Sequence, residues 1–387
     1  MSLFPILGSK FVVGFTGLGM EYVKPVMIAM LVVVVVYTLM GGMVSVVLTD
    51  FAQFILLTVG FLFGTYFILA HPDLGWSNIV SSIETHKGGI AFDPIANIDY
   101  GWIFIFYFVS VSFIGIVWQP EMSRPLSTED SRVARRIFWI QGLTSVGRAV
   151  IPMFWGIAAF AYTRLPSYTG GYAEDGQTAM PEMMGQILPI GVAGLLLAGM
   201  FAAFMSTHDS YLLAWSGVIV RDIISPIKAM RARSSQERGD DDTWGGLSSR
   251  EEVLWTRLLV VLLAAILGVV GVYYIDNLPE TAFKFMYITG TIYFAGAVGT
   301  VALGLYWKDA NKVGAYCALI LGAAAPINFL VMNIFPESVP GWLEPLVENS
   351  NLSALASLIL GGLGMIVGSL LTRKSHPPRA LDFSDMK

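Results

Sequence analysis

Apolar residues in this chain come in runs long enough to cross a membrane, and the runs follow one another almost without pause. Ten segments reach or approach the roughly 20 helical residues that a hydrocarbon core demands. They are 3–20, 26–47, 51–70, 102–118, 137–162, 187–220, 258–275, 286–307, 313–335 and 352–371. In lipid every backbone N–H and C=O must be satisfied within the protein, so only helices and closed barrels can span. A barrel would show strands of about ten residues with alternating polarity; these runs are longer and do not alternate. The sequence therefore predicts an all-α integral membrane protein, a helical bundle of about 9–10 transmembrane helices. Composition agrees, with 55% hydrophobic residues, 13% charged and a mean hydropathy of +0.66. A soluble domain of 387 residues has no use for that much apolar surface.

The net charge of −5 says little, because orientation follows the placement of Lys and Arg. Cations gather in alternate loops. One carries Arg124, Arg132, Arg135 and Arg136; another carries Arg221, Lys228, Arg231, Arg233, Arg238 and Arg250. Lys308 and Lys312 bracket a short turn, and Arg373, Lys374, Arg379 and Lys387 fill the tail. The intervening loops at 73–100 and 336–351 lean acidic. With ten crossings every basic loop falls on one side, which predicts a multi-pass plasma-membrane protein with residue 1 and the C-terminus in the cytoplasm. Residues 1–387 read as a single transmembrane domain with a cytoplasmic loop at about 223–252 and a cytoplasmic tail at 373–387. The loops at 73–100 and 163–186 are long enough to hold a short surface helix each. Cys317, the single cysteine, excludes an internal disulfide framework. No nucleotide loop, nucleophile elbow or metal-protease motif is present, so neither an enzyme nor a nucleic-acid partner is expected, nor a cofactor.

Polar residues inside the apolar runs carry the functional signal. Ala202-Ala203-Phe204-Met205-Ser206-Thr207-His208-Asp209-Ser210 sits deep in one run, where hydroxyls, an imidazole and a carboxylate are costly unless partnered or wetted. Residues 203, 206, 207 and 210 share one helical face. A hard cation needs several oxygens, which hydroxyls and a carbonyl supply. A plainer alternative is that Ser206 and Thr207 bond back to carbonyls one turn earlier. His208 reads as a packed histidine. Arg148 lies about 16 Å into its run, too deep to snorkel easily, and Asp209 is a candidate partner. Asp209 otherwise supports an ion site through its charge. Asp50 and Gln53 have capping-box spacing after the Gly41-Gly42 pair, so Asp50 either caps a new helix or supports an ion site.

Together, Tyr37-Thr38-x-x-Gly41-Gly42 and Thr49-Asp50-x-x-Gln53 resemble the signature of the sodium:solute symporter family. Three further stretches agree. Arg124-Pro125-Leu126-Ser127-Thr128-Glu129-Asp130 with Ala134-Arg135-Arg136 resembles the family's basic loop, and Ala202 to Ser210 its sodium-site helix. Trp307-Lys308 with Ala310-Asn311-Lys312 resembles its second signature, although Asp309 stands where a basic residue is usual. The resemblance spans about 8–325 and implies a LeuT-like inverted-repeat bundle with sites at the midplane. It implies sodium as coupling ion, held by the Ala203 carbonyl, Ser206 and Thr207, and a small organic solute as cargo. Tyr107 and Ser110, on the run corresponding to the broken sixth core helix, become candidate substrate contacts. If 26–47 is the fourth core helix, the first core helices are lacking, and a full-length relative would carry roughly 150 more residues upstream. A truncated or mis-started reading frame is therefore expected. The implied activity is sodium-coupled symport by alternating access in the lipid bilayer. A solute-sensing membrane domain and an inactive fragment are the alternatives. Solute identity, stoichiometry and oligomeric state are not fixed by the sequence.

Overall fold

The computed structural model describes residues 3–93, 117–171, 176–234, 247–275, 282–334, 340–341 and 350–378, and among them all regular structure is helical. Eight stretches are long and apolar enough to cross a membrane: Met20–Met40, Thr49–Ala70, Ser131–Tyr162, Ile190–Met230, Ser249–Ile275, Ile288–Tyr306, Lys312–Met332 and Ser350–Thr372. The first apolar run gives a shorter helix, α1 (Leu3–Thr16), about 21 Å long. It stops before Gly17, whose φ of +71° lies in the left-handed region that favours glycine. The run at 102–118 falls almost wholly outside the described residues.

One element departs from the sequence reading. The second and third runs join in a single helix, α2 (Val23–Ala70), of 48 residues. Straight, it would reach about 72 Å, more than twice the hydrocarbon thickness. It is not straight. The Tyr37 hydroxyl is hydrogen-bonded to the Thr49 hydroxyl, twelve residues on, a separation of about 18 Å in a straight helix. The axis turns between these residues. Because helical bonding continues through residue 50, Asp50 is not an N-cap. The adjacent glycines 41 and 42 let the axis bend rather than ending the helix.

Contacts divide the chain into two compact units. The first takes Met1–His86 and Arg132–Leu278. It holds α1, α2, the surface helix α3 (Trp76–Lys87), α5 (Ser131–Tyr162), α6 (Ala179–Ile187), α7 (Ile190–Val218), α8 (Ser225–Ser234) and α9 (Ser249–Ile275), while α4 (Gln119–Leu126) belongs to the second. Both long loops, 73–100 and 163–186, thus carry a short helix, α3 and α6. A π-helical turn, Ile219–Ile224, carries α7 into α8.

Two of the apolar clusters in this unit share α7. One packs Phe61, Ile68, Trp155, Met183, Met184 and Leu196, with Met200 at its edge. The other packs Met30, Val34, Phe204, Leu212, Val260 and Leu267, with Phe201 at its edge. Trp155 is buried, meets Phe61 edge-on at 5.1 Å and donates its indole N–H to Thr65 at 3.0 Å.

The second unit takes Lys87–Ser131 and Pro279–Lys387. Its α10 (Ala282–Tyr306), α11 (Lys312–Ile334) and α12 (Ser350–Thr372) pack through glycines. A Cβ on Gly364 would lie 2.7 Å from the Cys317 carbonyl, and one on Gly322 would lie 2.6 Å from Gly296 N. Close backbone approach of this kind is a usual solution between membrane helices. Pro326 inside α11 has no N–H for the Gly322 carbonyl one turn earlier. Ser357 of α12 donates its hydroxyl to that carbonyl. Asn311 is a buried hub: its amide donates to Ser369 O, Thr372 Oγ1 and His376 O at 3.0–3.1 Å. Its Oδ1 accepts from Gly314 N at 3.0 Å.

Large apolar side chains stay exposed along the spans, for example Leu143 at 81%, Val269 at 71% and Ile320 at 69%. Water would not tolerate so much contiguous apolar surface, and a bilayer requires it.

Candidate functional site

The polar cluster lies in the middle of α7, where that helix is pinned on two sides. A Cβ on Gly199 would stand 3.1 Å from Leu57 Cα, and one on Gly60 would stand 3.2 Å from Leu196, so one limb of α2 meets α7 backbone to backbone. The other limb and α1 close on Phe204, which sits beside Gly8 and Met30. Five residues of α7 then bring oxygens together. Ser206 Oγ donates to Ala203 O at 3.1 Å, and Thr207 Oγ1 donates to the same carbonyl at 2.8 Å. Ser210 Oγ donates to Ser206 O at 2.7 Å and lies 3.1 Å from Asp209 Oδ1. The back-bonding alternative and the shared face are therefore one geometry. Each hydroxyl keeps its oxygen lone pairs while its proton is placed on a carbonyl.

Asp209 and His208 are buried. The imidazole Nδ1 is 2.8 Å from Phe204 O, the ring lies 4.0 Å from that of Phe204, and Phe4 of α1 meets it edge-on at 6.4 Å. This is a packed, hydrogen-bonded histidine. Arg148 behaves otherwise than the sequence suggested. It is exposed on α5, whereas Asp209 is wholly buried in α7, so the pair weighed between them is not formed.

Asp50 is half-buried on the second limb of α2. Tyr37 lies within electrostatic reach of both Asp50 and Asp209 and is bonded to Thr49. Tyr37 itself was visible only as part of a motif. Its meeting with Thr49 depends on the bend in α2, which no local periodicity reveals. Tyr107 and Ser110 lie outside the described residues, so no geometry attaches to them. Among the described residues no group of three or more His, Cys, Asp or Glu side chains is placed to hold a metal ion. What the α7 cluster presents instead is a set of neutral oxygens with carboxylates nearby, which suits a monovalent hard cation better than a transition metal.

Comparison with known proteins gives a consistent picture. The sequence model of the sodium:solute symporter family matches residues 8–322. The sodium/proline symporter of Salmonella typhimurium is 25% identical over 345 residues, covering 87% of this chain and 60% of that protein. The sodium/pantothenate symporter of Haemophilus influenzae is 24% identical, over 92% of this chain and 66% of that one. The high-affinity proline transporter PutP of Bacillus subtilis is 28% identical, over 86% and 65%. This chain thus spans somewhat under two thirds of the length of these relatives. A solved structure of a Na+-coupled sialic acid symporter, in a substrate-bound outward-open state, superposes with a TM-score of 0.66 at 18% identity. The superposition covers 96% of this chain and 72% of that one. At that identity the likeness speaks for the fold, which is the LeuT-like helical one.

Proposed function

The chain belongs to the sodium:solute symporter family, and from that premise we propose that it serves sodium-coupled uptake of a small organic solute by alternating access. It is a multi-pass membrane protein, and its named relatives are carriers rather than enzymes. One observation carries the reading: the Ala203 carbonyl and the Ser206 and Thr207 hydroxyls converge within 2.8–3.1 Å inside a helix of the bundle. In this reading these three oxygens form one wall of the sodium site. A hard cation takes about six oxygens, so the remaining ligands come from elsewhere, including water or solute. Asp209, two residues beyond Thr207 on the same helix, would lower the electrostatic cost of a cation there, and Asp50 is the second carboxylate assigned to that role. Bound sodium favours one access state because it contacts α7 only while the opposite wall is in place. We infer from the basic loops a plasma-membrane protein whose C-terminus faces the cytoplasm.

The test is counterflow in proteoliposomes with proline, pantothenate and other small solutes, in Na+ and in K+. Exchange should require Na+, and the double substitution of Ser206→Ala with Thr207→Ala should raise the half-saturating Na+ concentration by about tenfold or more. Unchanged sodium dependence in that variant would remove α7 from the ion site.

A further inference from the structure

Where α9 enters the membrane it carries a cation that its neighbours leave exposed. Arg257 follows Glu252 by five residues, about 7.5 Å along the helix, and directly precedes the apolar stretch 258–275. Nearby carboxylates are already engaged: Glu252 with Arg221 at 2.8 Å and Glu251 with Lys228 at 2.6 Å. Among the described residues no ion pair is formed by Arg257. A guanidinium at that depth reaches the head-group level by extending its stem.

Beside it runs an open groove of about 480 Å³, lined by Leu39, Leu254, Trp255, Arg257, Leu258 and Val261. That volume falls within the roughly 300–1,000 Å³ typical of small-ligand clefts. The groove is chemically divided along the membrane normal. Leu258 and Val261 lie on the hydrocarbon side of Arg257, while Trp255, 38% exposed, sits at the level where indoles favour the interface. The adjoining stretch 221–252 mixes six Lys and Arg with seven Asp and Glu, so Arg257 supplies the groove's own charge. A cation held at the membrane interface attracts anionic lipid.

We propose that this groove binds one anionic phospholipid, with an acyl chain along Leu39, Leu258 and Val261 and its phosphate on Arg257. Arginine suits the role, since its planar fork meets phosphate oxygens in a bidentate manner. The lipid comes from the leaflet at whose surface Arg257 lies.

Native mass spectrometry of the purified chain, supplied with phosphatidylglycerol or phosphatidylcholine, tests the assignment. The unaltered protein should retain one phosphatidylglycerol in preference to phosphatidylcholine. Arg257→Gln should abolish that preference, weakening retention about tenfold or more. Arg257→Lys should keep most of it, which separates lost charge from lost folding. Arg250→Gln, outside the groove, should change nothing, and Val261→Trp, which fills the groove, should release both lipids. The proposal fails if Arg257→Gln retains phosphatidylglycerol normally, if Val261→Trp has no effect, or if inorganic phosphate alone displaces the bound lipid.

Discussion

Ser206 and Thr207 share one acceptor, the Ala203 carbonyl, and that sharing decides how their substitutions will read. Thr207→Val keeps the shape of the side chain and removes only the hydroxyl. Its effect on stability without sodium should be small, about 0.5–1.5 kcal/mol, because the lost bond is local. The stabilisation that sodium gives over potassium, read as a shift in thermal midpoint, should largely vanish, since only a site ligand contributes to that difference. An unchanged sodium shift would reduce Thr207 to a back-bonding residue. Ser357 offers a contrast, because its hydroxyl serves a carbonyl that Pro326 has freed. Ser357→Ala should therefore cost about 1–3 kcal/mol in thermal or denaturant unfolding, whatever the cation present. The first of these hydrogen-bond arrangements was legible in sequence, because residues 203, 206 and 207 are near neighbours on one helix. The second was not: Pro326 announces a freed carbonyl, but nothing local says that a serine 31 positions later will meet it.

At the scale of elements, the chain shows where hydropathy stops being informative. It located the spans because each is a long apolar run with polar flanks, and it placed short helices α3 and α6 in the long loops. It misread the junction of the second and third runs. Asp50 and Gln53 have the spacing of a helix start, yet α2 continues through them and bends instead. Capping spacing records local hydrogen-bond opportunity, and here continued helical bonding took precedence. The packing of α10, α11 and α12 depends on positions without side chains, so it is exacting in the opposite sense. Gly364→Val should destabilise the protein by about 1–3 kcal/mol or more, because its first added carbon would sit 2.7 Å from the Cys317 carbonyl. Asn311→Ala should cost at least about 2 kcal/mol, since it leaves backbone and hydroxyl groups of α12 and the following turn without their donor. Unfolding curves followed by Trp fluorescence in detergent would measure both.

On the scale of the whole molecule, sidedness is the proposition to test. With Cys317→Ala as background, Glu84→Cys should react with a membrane-impermeant maleimide on intact cells, and Arg250→Cys only after permeabilisation. The reverse pattern would invert the orientation inferred from the basic loops. Beyond sidedness, the arrangement of apolar clusters has a mechanical meaning. One cluster grips α7 up to Met200 and the other from Phe201 onward, and the oxygens of Ala203, Ser206 and Thr207 lie just past that boundary. A helix held by two separate clusters can pivot where one hands over to the other. An ion seated there would act as a splint, and amide exchange across residues 196–212 should slow in Na+ relative to K+. The stiffness of one strut would then report the occupancy of the ion's seat.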